Sequence, residues 1–222
     1  MEVTAVLKAR SLAMIEVDAM NRGGKIRLAD LLPRLVSRYD FQVVPNKPED
    51  FDLSKGVRFE SGKFDGLLID SFIIYDGAIL VDTLSTTDDS KRIICEMLEW
   101  GRDEFGLTYE ENQIRRWGYV SDIVFKTDFP LLESISAPFT RLAEKTSKST
   151  EERFEGLVFR PTQFFIGHDP EQRKNGIANL SIQHRVNTSH TENVYFSESP
   201  LPTDLHIQYL QEFEKDVRDS RQ

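Results

Sequence analysis

Residues 57–106 constrain the fold more than any other part of the chain. Two apolar runs, 67–75 and 78–84, flank the dipeptide Asp76-Gly77. Asp-Gly between apolar runs is the strongest short-range signal for a β-hairpin, because a tight primed turn needs positive φ at its centre. Both runs are rich in Ile, Leu, Phe and Val with little alternation, which is typical of strands that are covered on both faces. The stretch therefore predicts a hairpin in the middle of a sheet.

The hairpin register also predicts where its two aspartates point. Across a two-residue turn, Ser71 faces Asp82 and Asp70 faces Thr83. Because side chains alternate between the faces of a strand, Asp70 and Asp82 are expected on opposite faces of the sheet. They would then be separate structural groups, each satisfied by caps or neighbouring hydroxyls, and would share no proton, metal or substrate. A one-residue bulge at the turn would change this parity.

A long amphipathic helix is predicted directly after the hairpin. Thr86 offers a capping hydroxyl, two aspartates give an acidic first turn, and Gly106 ends the helix; both ends suit the exposed backbone groups and the helix dipole. Its predicted buried stripe contains Ile93, Ile94, Met97, Leu98, Gly101 and Phe105. Cys95 lies beside that stripe with no histidine nearby in sequence, so packing is favoured over a catalytic thiol.

The remaining elements follow from apolar spacing and turn residues. Further strands are predicted at 12–17, 41–44, 57–61, 119–125, 154–159, 164–166, 179–186 and 193–196, and a helix at 28–39. A second helix begins at Asp128, and Pro138 should kink or split it. This helix is expected to bury Leu131, Leu132, Ile135, Phe139 and Leu142. A solvated linker is predicted at 145–152, and a final helix presents Ile207, Leu210, Phe213 and Val217 on one face.

These elements predict an α+β fold with a mainly antiparallel sheet or sheets and about four helices. The chain divides into an N-terminal half, 1–107, and a C-terminal half, 118–222, which are expected to pack as one globular unit. Both halves follow the order βαβββα. No residue-level repeat accompanies that order, so it indicates either a duplicated architecture or a coincidence.

Composition narrows the class of protein. The chain has 222 residues, a net charge of −9 and a single cysteine. A lone cysteine suits a reducing compartment, and no apolar run approaches the ~18 residues that span a bilayer, so a cytoplasmic protein without a membrane partner is expected. A nucleic-acid partner is not favoured, because no basic footprint dominates the sequence.

One basic-aromatic cluster, Arg115-Arg116-Trp117, is the best candidate for ligand binding. Such a trio can clamp a phosphate or stack a base, and Arg160 and His168 are the residues that would join it in space. The alternative is an ordinary strand entry with Trp117 half-buried and both arginines in solvent. Gly23-Gly24-Lys25 has the wrong spacing for a phosphate loop, which makes a connecting turn the better interpretation.

No catalytic residue, metal site or cofactor is predicted. His168, His184, His190 and His206 lack the helical spacing of a metal pair, and no established catalytic motif is present. His184 and His190 flank a strand end, and the turn expected at 187–189 argues against a shared face.

Two hypotheses about function result. The first is a non-catalytic cytosolic protein that acts through protein–protein contact, as a subunit of a larger assembly or as a homo-oligomer. The alternative is an enzyme or sensor that binds a phosphorylated or nucleotide-like small molecule.

Overall fold

The computed structural model describes residues 1–21, 26–151, 155–169, 171 and 177–220. Over these residues, eight antiparallel strands and six helices, four of them with seven or more residues, confirm the predicted α+β fold. None of the described helices is long and apolar enough to span a membrane. The predicted turn at Gly23-Gly24-Lys25 lies outside the described residues.

The strands and helices follow one another along the chain in the predicted order. The strands are β1 (Glu2–Met14), β2 (Val57–Phe64), β3 (Leu67–Ile74), β4 (Ala78–Thr83), β5 (Arg116–Lys126), β6 (Gln163–Ile166), β7 (Leu180–His184) and β8 (Val194–Ser199). The helices are α1 (Val17–Met20), α2 (Leu28–Tyr39), α3 (Thr87–Phe105), α4 (Leu131–Ile135), α5 (Ala137–Thr150) and α6 (Thr203–Asp219). Each half therefore contains one strand, a helical stretch, three strands and a final helix.

The described chain forms two compact units. The first unit contains residues 6–121 and 201–203, and the second contains 1–5, 122–200 and 204–222. Strands run in the order β2-β3-β4-β1-β5 in the first unit and β6-β7-β8-β5-β1 in the second. Corresponding strands thus have corresponding neighbours in the two units. The predicted halves, 1–107 and 118–222, stay a prediction.

The central hairpin has the predicted two-residue turn, but not the predicted turn geometry. Tyr75 donates its backbone N–H to Ala78 O at 2.8 Å. Neither Asp76 nor Gly77 has a positive φ, so the expectation of a primed turn is wrong. Two backbone N–H groups just after β1 donate to the carbonyl oxygens of Asp76 and Gly77, at 2.9 and 3.2 Å. These bonds to a neighbouring segment stabilise the turn, which therefore does not adopt the usual primed geometry.

The predicted register holds up to Ser71, which lies opposite Asp82. Beyond it the register shifts, and Ile69 rather than Asp70 pairs with Thr83. The expected pairing of Asp70 is therefore wrong. The shift buries the Ile69 side chain completely and leaves Asp70 exposed, as expected when an apolar side chain and a carboxylate compete for a buried position.

Asp82 is a buried structural carboxylate, as predicted. Arg10, directly opposite on β1, donates two hydrogen bonds to it, both at 2.7 Å. Ser71 adds a third at 2.8 Å. The two carboxylate oxygens of Asp82 together accept three hydrogen bonds. These bonds compensate the charge although only 3% of the residue is exposed.

Small side chains let α3 lie close to β1. Ala9, Ser11 and Ala13 alternate along the face of β1 that is completely buried. Ser11 donates its hydroxyl to the carbonyl oxygen of Thr87 at 2.6 Å, and Ser90 donates to the carbonyl oxygen of Ala9 at 2.5 Å. Hydroxyl groups thus bond strand and helix directly where larger side chains would separate them.

Helix α3 agrees closely with its prediction. Thr86 caps it by accepting the Asp89 N–H at 3.1 Å, and Gly106 ends it in the left-handed conformation. The predicted stripe is buried, apart from the half-buried Phe105. Helix α2 also forms where predicted, with Pro33 in its second turn.

Three predicted elements in other parts of the chain are wrong. The stretch 41–44 makes only an isolated bridge, from Val43 to Glu60. Residues 157–159 form no strand, and Phe154 lies outside the described residues. Residues 145–150 belong to α5 and not to a linker. The helix continues through these polar residues although four of the six are Ser or Thr and no side chain in it is buried.

The helix predicted from Asp128 is split, as expected from Pro138. The break falls at Ser136, and Pro138 occupies the first turn of α5, where its missing N–H costs no hydrogen bond. Leu131 and Leu132 are buried as predicted. Phe139 and Leu142 are 67% and 60% exposed, so their predicted burial is wrong.

The final helix, α6, docks through a face that is partly polar. Leu210 and Val217 are buried as predicted, whereas Ile207 and Phe213 are half-buried. His206 and Glu214 are also buried, which the sequence did not reveal. Glu214 accepts hydrogen bonds from the amino group of Met1 at 2.7 Å and from Arg218 at 3.2 Å.

His206 is bonded to a serine in the interior of the second unit. Its Nε2 lies 2.8 Å from the hydroxyl of Ser197, which in turn lies 2.7 Å from the carbonyl oxygen of Ser181. Because that hydroxyl donates its only proton to the carbonyl, His206 must donate from Nε2. Burial lowers the pKa of His206 from 6.5 to about 4.

This burial predicts a loss of stability in mild acid. Below pH 6.5 the unfolded chain binds a proton that folded His206 refuses until about pH 4, so the free energy of unfolding falls across that window by at most about 3 kcal/mol. Urea titrations at pH 7 and pH 4.5 should show the loss. His206→Gln keeps a donor for Ser197 but cannot titrate, and its loss should be clearly smaller. Equal losses would contradict the assignment.

Candidate functional site

The predicted basic-aromatic trio lies at the start of β5 in the first unit. Arg115 is exposed and pairs with Glu16 at 2.7 Å. Arg116 is also exposed. Trp117 is half-buried against the core, and Lys91 Nζ lies 5.1 Å from the centre of its ring. The Trp117 ring is therefore already packed against the protein and already makes a cation–π contact with Lys91.

The other two predicted residues lie in the second unit. Arg160 pairs with Glu133 at 2.9 Å. His168 is half-buried, and its Nε2 has no hydrogen-bond partner among the described residues. Binding of a phosphorylated or nucleotide-like ligand by Arg115, Arg116, Trp117, Arg160 and His168 stays a prediction.

Side chains suited to catalysis are few in the described structure. Burial raises the pKa of the Cys95 thiol, which disfavours the reactive thiolate. The Ser197–His206 pair has the composition of a nucleophile and base, but both residues are completely buried and the serine proton points to a carbonyl. No cluster of three metal-binding side chains occurs among the described residues.

Helix α5 differs from the other long helices because none of its residues is buried. Its apolar side chains Phe139, Leu142 and Ala143 recur at three and four residues, the spacing of one helix face. An isolated helix of 14 residues is marginal in water. The face that normally stabilises such a helix is here left to solvent.

This face borders a groove of about 550 Å³, which we call the α5 groove. One wall is formed by α4 and α5, and the other by residues 159–165. Its apolar lining residues are Leu132, Ile135, Phe139, Leu142, Ala143, Phe159, Pro161, Phe164 and Phe165. Of the fourteen large apolar side chains that the described residues expose, eight lie between 139 and 177. Clustered exposure of this kind marks an interaction surface, whereas single exposed apolar residues are normal.

The wall of the groove formed by residues 159–165 includes most of the edge strand β6. This strand stands last in the strand order and, among the described residues, pairs only with β7. Its outer backbone groups are therefore available to another strand. The edge strand of the first unit, β2, differs: it bridges to Val43 and carries the charged side chains of Arg58, Glu60 and Lys63.

Basic side chains lie on the side of α5 away from its apolar face. Arg141, Lys145 and Lys148 are exposed, and among the described residues no ion pair engages them. The helix holds one acidic residue, Glu144, so it is positive within a chain of net charge −9. This helix therefore favours an acidic partner.

A pair of stacked histidines lies close to Arg160, a lining residue of the groove. His184 ends β7 and His190 opens a 3₁₀ turn, and their rings stack with centroids 3.9 Å apart. The turn at Asn187 is present, so the expectation that it would separate the two side chains is wrong. The chain folds back over the strand end and brings the rings together.

The charge on this pair is held down by its surroundings. Burial lowers the pKa of His190 from its ordinary value of 6.5, and His184 and Arg160 lower it further, while Glu133 opposes them. His184 Nε2 is buried without a hydrogen-bond partner in the described structure. Two stacked imidazoles cannot both carry a proton at low cost.

Comparison with known proteins adds no name to this site. No protein-family profile matches the chain, and no curated protein shows significant similarity to it. A proposal about the function of this chain is therefore based on the geometry of its described residues.

Sequence reasoning missed both features of this surface. The apolar spacing of α5 was visible, but the same spacing predicts burial in a core as readily as exposure. The one available signal for exposure was composition, because nine of the fourteen residues of α5 are Ser, Thr, Lys, Arg or Glu. The histidine contact depends on how the chain folds back after β7, which local patterns do not specify.

The histidine pair predicts a specific titration. His190 should titrate below 6.5, and His184→Asn should raise its pKa because a neighbouring positive charge no longer forms. Arg160→Gln should raise it as well. NMR titration of the imidazole ring resonances measures the effect, with His168→Asn as a control on a distant histidine. An unchanged pKa in both variants would contradict the assigned contacts.

Proposed function

We propose that this protein is a non-catalytic cytoplasmic protein that acts by protein–protein contact through the α5 groove. The partner is an extended protein segment with alternating apolar side chains and acidic flanks. The observation that carries the proposal is a 14-residue amphipathic helix with no buried residue beside an edge strand with a free backbone edge.

The apolar surface supports binding to another chain. Phe139, Leu142 and Phe165 are each more than half exposed and line one groove. Their burial on association removes apolar area from water, which is the main favourable term in most protein–protein contacts. Aromatic side chains are also enriched among residues that dominate binding energy.

The edge of β6 favours an extended partner over a helical one. A strand added to a sheet edge gains main-chain hydrogen bonds, and its alternate side chains enter pockets on one side. The groove lies along β6 and is walled by Phe159 and Phe165. A segment paired with β6 would therefore place every second side chain against these rings.

The net positive charge of α5 favours a partner segment that carries acidic residues. Arg141 and Lys145 lie one helical turn apart on the side of α5 away from its apolar face. They therefore attract an acidic segment at longer range and do not pair with it inside the groove, and association should slow as salt rises. The enzyme-or-sensor hypothesis stays open, but no comparable arrangement among the described residues favours it.

A peptide selection tests the proposal directly. Extended peptides selected from a random library against the protein should contain alternating apolar residues with acidic flanks. Leu142→Ala should weaken the selected peptide at least tenfold, as measured by fluorescence anisotropy. Leu68→Ala is the matched control, because Leu68 is an equally exposed leucine on β3, 56% against 60%.

Stability and backbone chemistry separate the outcomes. Leu142→Ala should leave the urea midpoint nearly unchanged, since surface substitutions typically shift stability by less than about 0.5 kcal/mol. A peptide N-methylated at alternate residues should lose binding, because strand pairing needs its N–H groups. Equal effects of Leu142→Ala and Leu68→Ala would refute the proposed surface. Light scattering distinguishes a second copy as the occupant, since a dimer that Leu142→Ala dissociates would replace the peptide interpretation.

A further inference from the structure

A second cavity lies wholly within the first unit, between the sheet and the helices α2 and α3. Its volume is about 150 Å³. Side chains from all three layers line it, among them Leu31 and Leu35 of α2, Phe72 of β3, and Met97 and Trp100 of α3. The cavity is open to solvent on one side, so a small molecule can enter it. A concave, mostly apolar lining with a few polar groups is typical of small-molecule sites.

Polar contacts join the two helices that line this cavity. Tyr39 at the end of α2 donates its hydroxyl to Glu96 of α3 at 2.6 Å, and Arg38 binds the same carboxylate. The Arg38 guanidinium also lies 5.2 Å from the centre of the Trp100 ring, which lines the cavity. These contacts connect the C-terminal end of α2 to α3 beside the cavity.

The lining determines the chemistry of a ligand. Asp18 and Asn21 are the polar residues of the described lining, and the Asn21 amide is already bonded to the backbone of Ile26, at 2.6 and 3.2 Å. Ordered water needs two to four polar partners, so the interior of the cavity favours an apolar group. A volume of about 150 Å³ accommodates one aromatic ring. A charged group would lose its hydration without compensation.

We propose that the first unit binds a small uncharged aromatic molecule with one hydrogen-bond donor. The ring occupies the cavity, where the polarisable side chains of Met20 and Met97 adapt to it. The donor reaches Asp18, whose carboxylate is exposed to solvent on one side. This site is separate from the proposed function, because it belongs to the unit that does not contain the α5 groove.

Phenol is the probe that fits this description, and calorimetric titration measures its binding. Phenol should bind saturably with one site per chain, and benzoate should bind at least tenfold more weakly because it carries a charge. Leu31→Phe fills the cavity and should weaken phenol at least tenfold. Leu32→Phe is the matched control, since Leu32 is the neighbouring half-buried leucine of α2 and does not line the cavity. Asp18→Asn should weaken phenol more than it weakens benzene.

NMR of the unaltered protein gives a readout that needs no variant to fold. With ¹³C-labelled methionine methyl groups, phenol should shift the resonances of Met20 and Met97, which line the cavity, and leave that of Met14 unchanged. Shifts of Met14 alone, or no saturable shift at all, would overturn the proposal. Equal loss of phenol affinity in Leu31→Phe and Leu32→Phe would overturn it too.

Discussion

The close approach of α3 to β1 is the contact on which the first unit depends. It requires small residues on one face of the strand, and Ala9, Ser11 and Ala13 supply them. On the other side of the same strand, Arg10 neutralises the buried carboxylate of Asp82. A larger residue at Ser11 would separate the layers, whereas loss of Arg10 would leave a buried charge without its partner. One strand thus satisfies an apolar helix contact and a buried ion pair through its alternating faces.

The two units share a strand order but differ in how far their helices are buried and their edge strands are covered. In the first unit the sheet is covered by helices with buried stripes, and its edge strand is bridged and charged. In the second unit the corresponding helix, α5, buries nothing, and the edge strand β6 is short and apolar. Natural proteins normally protect such an edge, because it invites pairing with another chain. The proposed binding surface is based on this edge, which no described strand covers, and on the exposed apolar face of α5 beside it.

Sequence patterns correctly predicted the position of those elements whose turn and cap residues favour the same structure as the tertiary contacts. The hairpin around Asp76-Gly77 and the capped helix α3 have strong turn and cap residues, and both formed where predicted, although the hairpin turn is not of the expected primed type. The first ten residues of β1 were missed because they include Ala and Lys, which have weak strand propensity. Ala9 and Ser11 are small residues that the contact with α3 requires, and a local pattern does not reveal that contact. The α5 groove and the stacked pair His184–His190 were missed for a related reason: exposure of a face and contact across a turn are decided by tertiary structure.

Hydrogen–deuterium exchange of the backbone amides is the most direct test of the proposed α5 groove as a binding surface. A saturating peptide selected for binding should slow exchange at least tenfold in α5 and β6, because strand pairing protects the edge and a covered helix opens less often. Exchange in β2, β3 and β4 should stay unchanged. Protection confined to the first unit, or a bound peptide that protects neither α5 nor β6, would refute binding at the groove.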